Sequence, residues 1–171
     1  MNATQTISSQ ADVLALAQAR YGRVPGLIGL LSEHPLVAQL FIEYGTALKQ
    51  AGVLVTTEKD LVMFTVSHVN GCPYCKRSHK AALLQYGLSE ADIIAIETGD
   101  SLTNTRYNDL VYATRLLVKK RAKLSPAEYQ DLIQRGIDRV QQLEIIAFIA
   151  LKTITNYTNS LNEVSKVAAG T

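Results

Sequence analysis

A chain of 171 residues with a formal net charge of +2 and charges of both signs spread along it is long enough to bury a core without staples, and it carries no basic stripe for nucleic acid. Its first segment, MNATQTISSQ, is polar with no apolar h-region, and no run of about 18 apolar residues occurs, so neither a secretory leader nor a membrane span is expected. The expectation is one cytoplasmic domain over residues 1–171, whose only two cysteines, Cys72 and Cys75, read in a reducing compartment as redox or metal chemistry.

The apolar residues recur at helical spacing, and strict alternation is nearly absent, which predicts an all-α protein. Leu14, Ala17 and Tyr21 share a face of the first helix, and Arg23 to Gly26 break it. A short helix with Leu27, Leu30 and Leu31 follows. Pro35 opens a third, carrying Val37, Leu40, Phe41, Tyr44 and Leu48, which should stop near Gly52. Thr57 with Asp60 fits a capping box for the next, and the run Leu61 to Val66, apolar almost all round, makes that helix central.

Asn70 and Gly71 end it. Pro73 suits the first position of a new helix, where its missing N–H costs nothing, and Gly87 stops that helix after Tyr86. Ser89 with Asp92 starts another, as does Thr103 or Asn104. Lys119, Lys120, Arg121 and Lys123 then fall at a helix C-terminus, where cations suit the dipole. Ser125, Pro126 and Glu128 start one more. After Gly136 the last helix carries Val140, Leu143, Ile146, Ala147, Ala150 and Ile154 to about Val167. Its apolar surface exceeds one core stripe, which fits a subunit interface or a buried core helix. The whole predicts a bundle of about seven to eight helices with irregular crossings.

The chemistry gathers in HVNGCPYCKRSH, which holds His68, Cys72, Cys75 and His79. Residues three and four apart face each other on a helix. A thiol at a helix N-terminus feels unpaired N–H groups and the positive dipole end, which lower its pKa from ~8.5 toward the nucleophilic thiolate. His79 stands one turn after Cys75, placed to take its proton directly or through one water. A neighbouring thiol condenses with a sulfenic acid to a disulfide, and an external dithiol resets the pair. Position nearest the helix N-terminus would favour Cys72 as the nucleophile, whereas the His79 spacing favours Cys75. His68 precedes Cys72 by four residues, but Gly71 interrupts the helix and leaves its ring unplaced. Tyr74 reads as a packing residue. The spelling H-x3-C-x2-C-x3-H also offers four zinc ligands, although it lies on one short stretch.

The segment EKDLVMFTVSHVNGCPYCKRSH, Glu58 to His79, resembles the alkylhydroperoxidase D-like members of the carboxymuconolactone decarboxylase family. RYGRVPGL, the helix after Pro35 and the closing helix with NYTNSL resemble the peroxidase-related branch more loosely. The resemblance implies an AhpD-like helical bundle, assembly as a homo-oligomer (trimer or hexamer), and peroxidase or disulfide-reductase activity with no cofactor. In that scheme Cys75 attacks the hydroperoxide, Cys72 resolves, and His79 joins a relay with an acid twelve residues before the first cysteine. That position holds Asp60 where the family has Glu. Glu58 has a counterpart in many relatives and could take over. A histidine found between the cysteines in some relatives is replaced by Tyr74.

The leading expectation is therefore reduction of a hydroperoxide or a partner disulfide, with electrons from a lipoyl or thioredoxin-like dithiol. A carboxymuconolactone decarboxylase-type lyase and a non-enzymatic redox-sensing or zinc-binding oligomer are the alternatives. No G-x-G-x-x-G and no P-loop appears.

Overall fold

The computed structural model describes residues 9–169, and the polar segment MNATQTIS falls outside them. Among the described residues there are nine helices and no strand. They are α1 (Gln10–Tyr21), α2 (Gly26–Leu31), α3 (Pro35–Gln50), α4 (Thr56–Val69), α5 (Pro73–Gln85), α6 (Glu90–Thr98), α7 (Thr105–Lys120), α8 (Pro126–Gln134) and α9 (Arg139–Ala169). The short α2, at six residues, is the expected helix of Leu27, Leu30 and Leu31. No helix is long and apolar enough to cross a membrane.

Local chemistry sets most boundaries. Ser89 and Ser125 accept from the N–H of Asp92 and Glu128, whose carboxylates return the bond to the cap backbone, satisfying donors that a helix start leaves open. Asn104 accepts from the Tyr107 N–H to start α7. Lys119 and Lys120 stand in the last turn of α7, and Lys120 pairs with Glu128.

The described residues fall into two compact units, one gathering 9–50 with 157–169, the other Ala51–Asn156. In the first, Val13, Ala17, Ile28, Leu31, Ala38 and Ile42 form a buried cluster. In the second, α4 packs against both α5 and α7 and is buried continuously from Leu61 to Ser67. Its polar members bond inward, Thr65 Oγ1 to the Leu61 carbonyl and Ser67 Oγ to that of Met63. A helix buried on all sides is the position its apolar run requires.

One expectation needs correction here. Helix α4 starts at Thr56 with Val55 as its cap, and Glu58, not Asp60, accepts from the cap N–H at 3.1 Å. Asp60 is thereby freed from the helix start. On α9, Ile145, Phe148 and Leu151 are in the core, while Val140, Leu143 and Ile154 are exposed. Its apolar residues outnumber one core-facing stripe, so burial alone could not be assigned from the pattern.

Gly52 tightens the turn before α4. Its φ is +103°, and a Cβ would meet Glu144 Oε1 at 2.3 Å. The Glu144 carboxylate instead accepts from the N–H of Val53 at 2.6 Å and of Leu54 at 3.2 Å, tying α9 to the turn that sets the start of α4.

Candidate active site

The site grows from the turn between α4 and α5. The Asn70 N–H donates to the Val66 carbonyl at 2.9 Å and the Cys72 N–H to that of Ser67 at 3.0 Å. Gly71 sits between them at φ +67°, a left-handed conformation that a side chain disfavours. Cys72 follows as the cap of α5, Pro73 takes the first helical position, and Cys75 lies in the first turn. Neither cysteine is in a disulfide. They are 3% and 2% exposed respectively. Asn156 of α9 pins this turn: its Oδ1 accepts from Asn70 Nδ2 at 2.9 Å and its Nδ2 donates to Ser67 Oγ at 3.4 Å.

One turn beyond Cys75, His79 meets an acid and a base at once. Its Nδ1 lies 2.8 Å from Asp60 Oδ1. Its Nε2 lies 3.0 Å from Nζ of Lys152, which is 4% exposed. An ionised carboxylate only accepts and an ammonium only donates. With Asp60 ionised and Lys152 an ammonium, the ring proton sits on Nδ1 and is donated to Asp60, while Nε2 accepts from Lys152. Aspartate, though a methylene shorter than glutamate, reaches the ring directly. Behind Asp60 stands Tyr86. The carboxylate's charge, then burial and the hydrogen bond to Asp60, raise the Tyr86 phenol above its ordinary pKa.

The other residues singled out in the sequence lie elsewhere. Besides capping α4, Glu58 pairs with Arg106 of α7, Nε to Oε1 at 2.6 Å. The two acids stand two residues apart, so helical geometry turns them about 200° from each other; one faces α7 and the other α5. His68, in the last turn of α4, is half-buried with its Nδ1 unbonded. Burial, then the charges of Lys76 and Arg115, hold its pKa below the usual imidazole value. Tyr74 is a correction: it is 58% exposed rather than packed, with the Arg77 guanidinium 5.9 Å above its ring. Among the described residues no three His, Cys, Asp or Glu side chains converge as metal ligands do, because His68 and His79 serve different neighbours.

Sequence reasoning did not identify Lys152 or Asn156. They stand one turn apart on α9, and the only local signal was a lysine directly after the apolar run Ile145 to Leu151.

A carboxymuconolactone decarboxylase family model matches residues 35–105. No curated protein matches the chain. Among solved structures, an uncharacterized peroxidase-related protein from Ralstonia eutropha JMP134, described as an alkylhydroperoxidase AhpD core, is similar with TM-score 0.74 and 20% identity, covering 91% of this chain and 87% of that one. A peroxidase-related protein from Silicibacter sp. TM1040 gives 0.71 and 18%, covering 93% and 85%. A variant of the debrominase Bmp8 in complex with 2,3,4-tribromopyrrole gives 0.69 and 18%, covering 94% and 90%. At these identities the likeness is one of fold.

Proposed function

Because residues 35–105 belong to the carboxymuconolactone decarboxylase family and the fold is AhpD-like, we propose that this chain is a thiol-dependent peroxidase acting through Cys75 and Cys72. The observation that carries the reading is a pair of reduced thiols at the start of α5 with the Asp60–His79 pair one turn further along. The Cys75 thiolate attacks the outer oxygen of a hydroperoxide. An S–O bond forms, the O–O bond breaks, and the departing alkoxide takes up a proton to leave as an alcohol. The Cys72 thiolate then attacks the sulfenic sulfur, and hydroxide leaves as water after protonation, giving a Cys72–Cys75 disulfide. An external dithiol restores both thiols. His79 takes and passes the proton through Nε2 once its bond from Lys152 opens, with Asp60 stabilising the imidazolium formed on the way.

Burial narrows the reactants. Thiols 3% and 2% exposed suit a small hydroperoxide better than a folded disulfide partner, and a slender lipoyl-type dithiol better than a globular reductant. Mass spectrometry of the tryptic peptide spanning both cysteines, after limiting hydroperoxide, tests this. The expected product is the Cys72–Cys75 disulfide with one alcohol released per disulfide. Hydroperoxide loss with both thiols still reduced would discard the reading.

The likeness to a debrominase supports a second reading with the same electron count. A bromoarene plus two thiols would yield the dehalogenated ring, bromide, a proton and the disulfide. Bromide release without hydroperoxide turnover would favour it.

The exposed line Val140, Leu143 and Ile154 on α9 suits burial against further copies in a trimer or hexamer. Light scattering is expected to return a multiple of the 18.7 kDa chain mass; a monomer at micromolar concentration would remove the assembly.

A further inference from the structure

A buried lysine beside the site has no part in the scheme above. Lys152 is 4% exposed and its amine reaches His79 Nε2 at 3.0 Å. Removing an ammonium from water is costly unless charge and hydrogen bonds compensate. Here Asp60 offers a carboxylate through the imidazole, so that Lys152 as an ammonium, His79 as a neutral ring and Asp60 as an anion form a chain. The ring cannot reverse its tautomer without setting an Nε2–H against a lysine N–H, two donors face to face.

We propose that Lys152 is a positioning residue: it locks His79 as the Nδ1–H tautomer and holds positive charge one helical turn from Cys75, so that this thiol ionises at lower pH than it would without the lysine. A nearby opposite charge favours an ionised group, and thiolates occur beside lysine, arginine and protonated histidine. Asp60 from α4 and Lys152 from α9 face the imidazole, with Tyr86 behind Asp60 and both thiols on or beside α5. The neighbouring charges are directed elsewhere: Glu58 to Arg106, Lys59 to the Ala51 carbonyl, and Glu144 to the Val53 and Leu54 amides. The proposal takes Cys75 as the reacting thiol from the peroxidase reading, but its test needs no peroxide.

The test is the pH dependence of Cys75 alkylation by iodoacetamide in a Cys72→Ser background, with and without Lys152→Met. The midpoint is expected to rise by about one pH unit or more in the lysine variant. An unchanged midpoint in a folded Lys152→Met protein overturns the proposal, because a merely structural lysine would alter stability and leave the titration in place. Should that variant fail to fold, the imidazole ¹⁵N shifts of His79 in the unaltered protein decide: an Nε2–H tautomer overturns it, an Nδ1–H tautomer supports it. A shifted midpoint in a protein that ignores hydroperoxide would sink the peroxidase reading alone. Hydroperoxide turnover with an unmoved midpoint would sink the lysine's role alone.

Discussion

Cys75→Ser is expected to lower hydroperoxide turnover by about 10³-fold or more, because a serine hydroxyl one turn from His79 is a far poorer nucleophile than a thiolate. Cys72→Ser should behave differently. It keeps the attacking sulfur, so one equivalent of hydroperoxide is consumed and Cys75 stops as a sulfenic acid. The two variants therefore separate in single-turnover kinetics, and dimedone should label Cys75 in the Cys72→Ser protein. Both thiols are buried, and serine is close to cysteine in size, so folding is expected to survive each change. A dimedone adduct on Cys72 in the Cys75→Ser protein, with turnover retained, would reverse the assignment. Equal rates in all three proteins would end the thiol mechanism.

Asp60→Asn should cost about 10²–10⁴-fold in the same assay, comparable to losing the acid that orients a catalytic imidazole elsewhere. Asp60 Oδ1 accepts the His79 Nδ1 proton at 2.8 Å. An asparagine could keep that bond only through its carbonyl, and the negative charge that stabilises an imidazolium would be gone. If its NH2 turned to the ring, the ring proton would have to move to Nε2, where the Lys152 amine already donates. Asp60→Glu retains the charge, and its loss should stay within about tenfold. The readout is hydroperoxide rate against pH, with far-ultraviolet circular dichroism as the folding control. An Asp60→Asn protein that keeps more than half of the rate would show that the acid serves stability alone. Glu58 offers an internal contrast. Its carboxylate serves Arg106 and the Val55 N–H, so the scheme gives it no direct place in proton transfer.

Much of this was legible in the chain because it depends on near neighbours. Side-chain caps at Ser89, Asn104 and Ser125 act over three residues, and Pro73 suits the first position of a helix. The spacing from Cys72 through Cys75 to His79 spans two turns of one helix, so the active-site order follows from sequence alone. The apolar run of α4 announced its central position for the same local reason.

Contacts across long separations were not legible. Lys152 comes from 73 residues beyond His79, and Asn156 from 86 residues beyond Asn70. Nothing local to either residue encodes which ring or turn it will meet. The choice between Glu58 and Asp60 was also deferred. Both acids suit the first turns of a helix, and only the packing of α4 between α5 and α7 decided which one faces the imidazole. On α9, likewise, the apolar residues are too many for one stripe, and only packing selected Ile145, Phe148 and Leu151 for the core. Sequence determines helices, caps and the order of reactive groups because those interactions close within a few residues. Tertiary structure assigns their partners, because burial and charge pairing are settled only once distant segments share the same space.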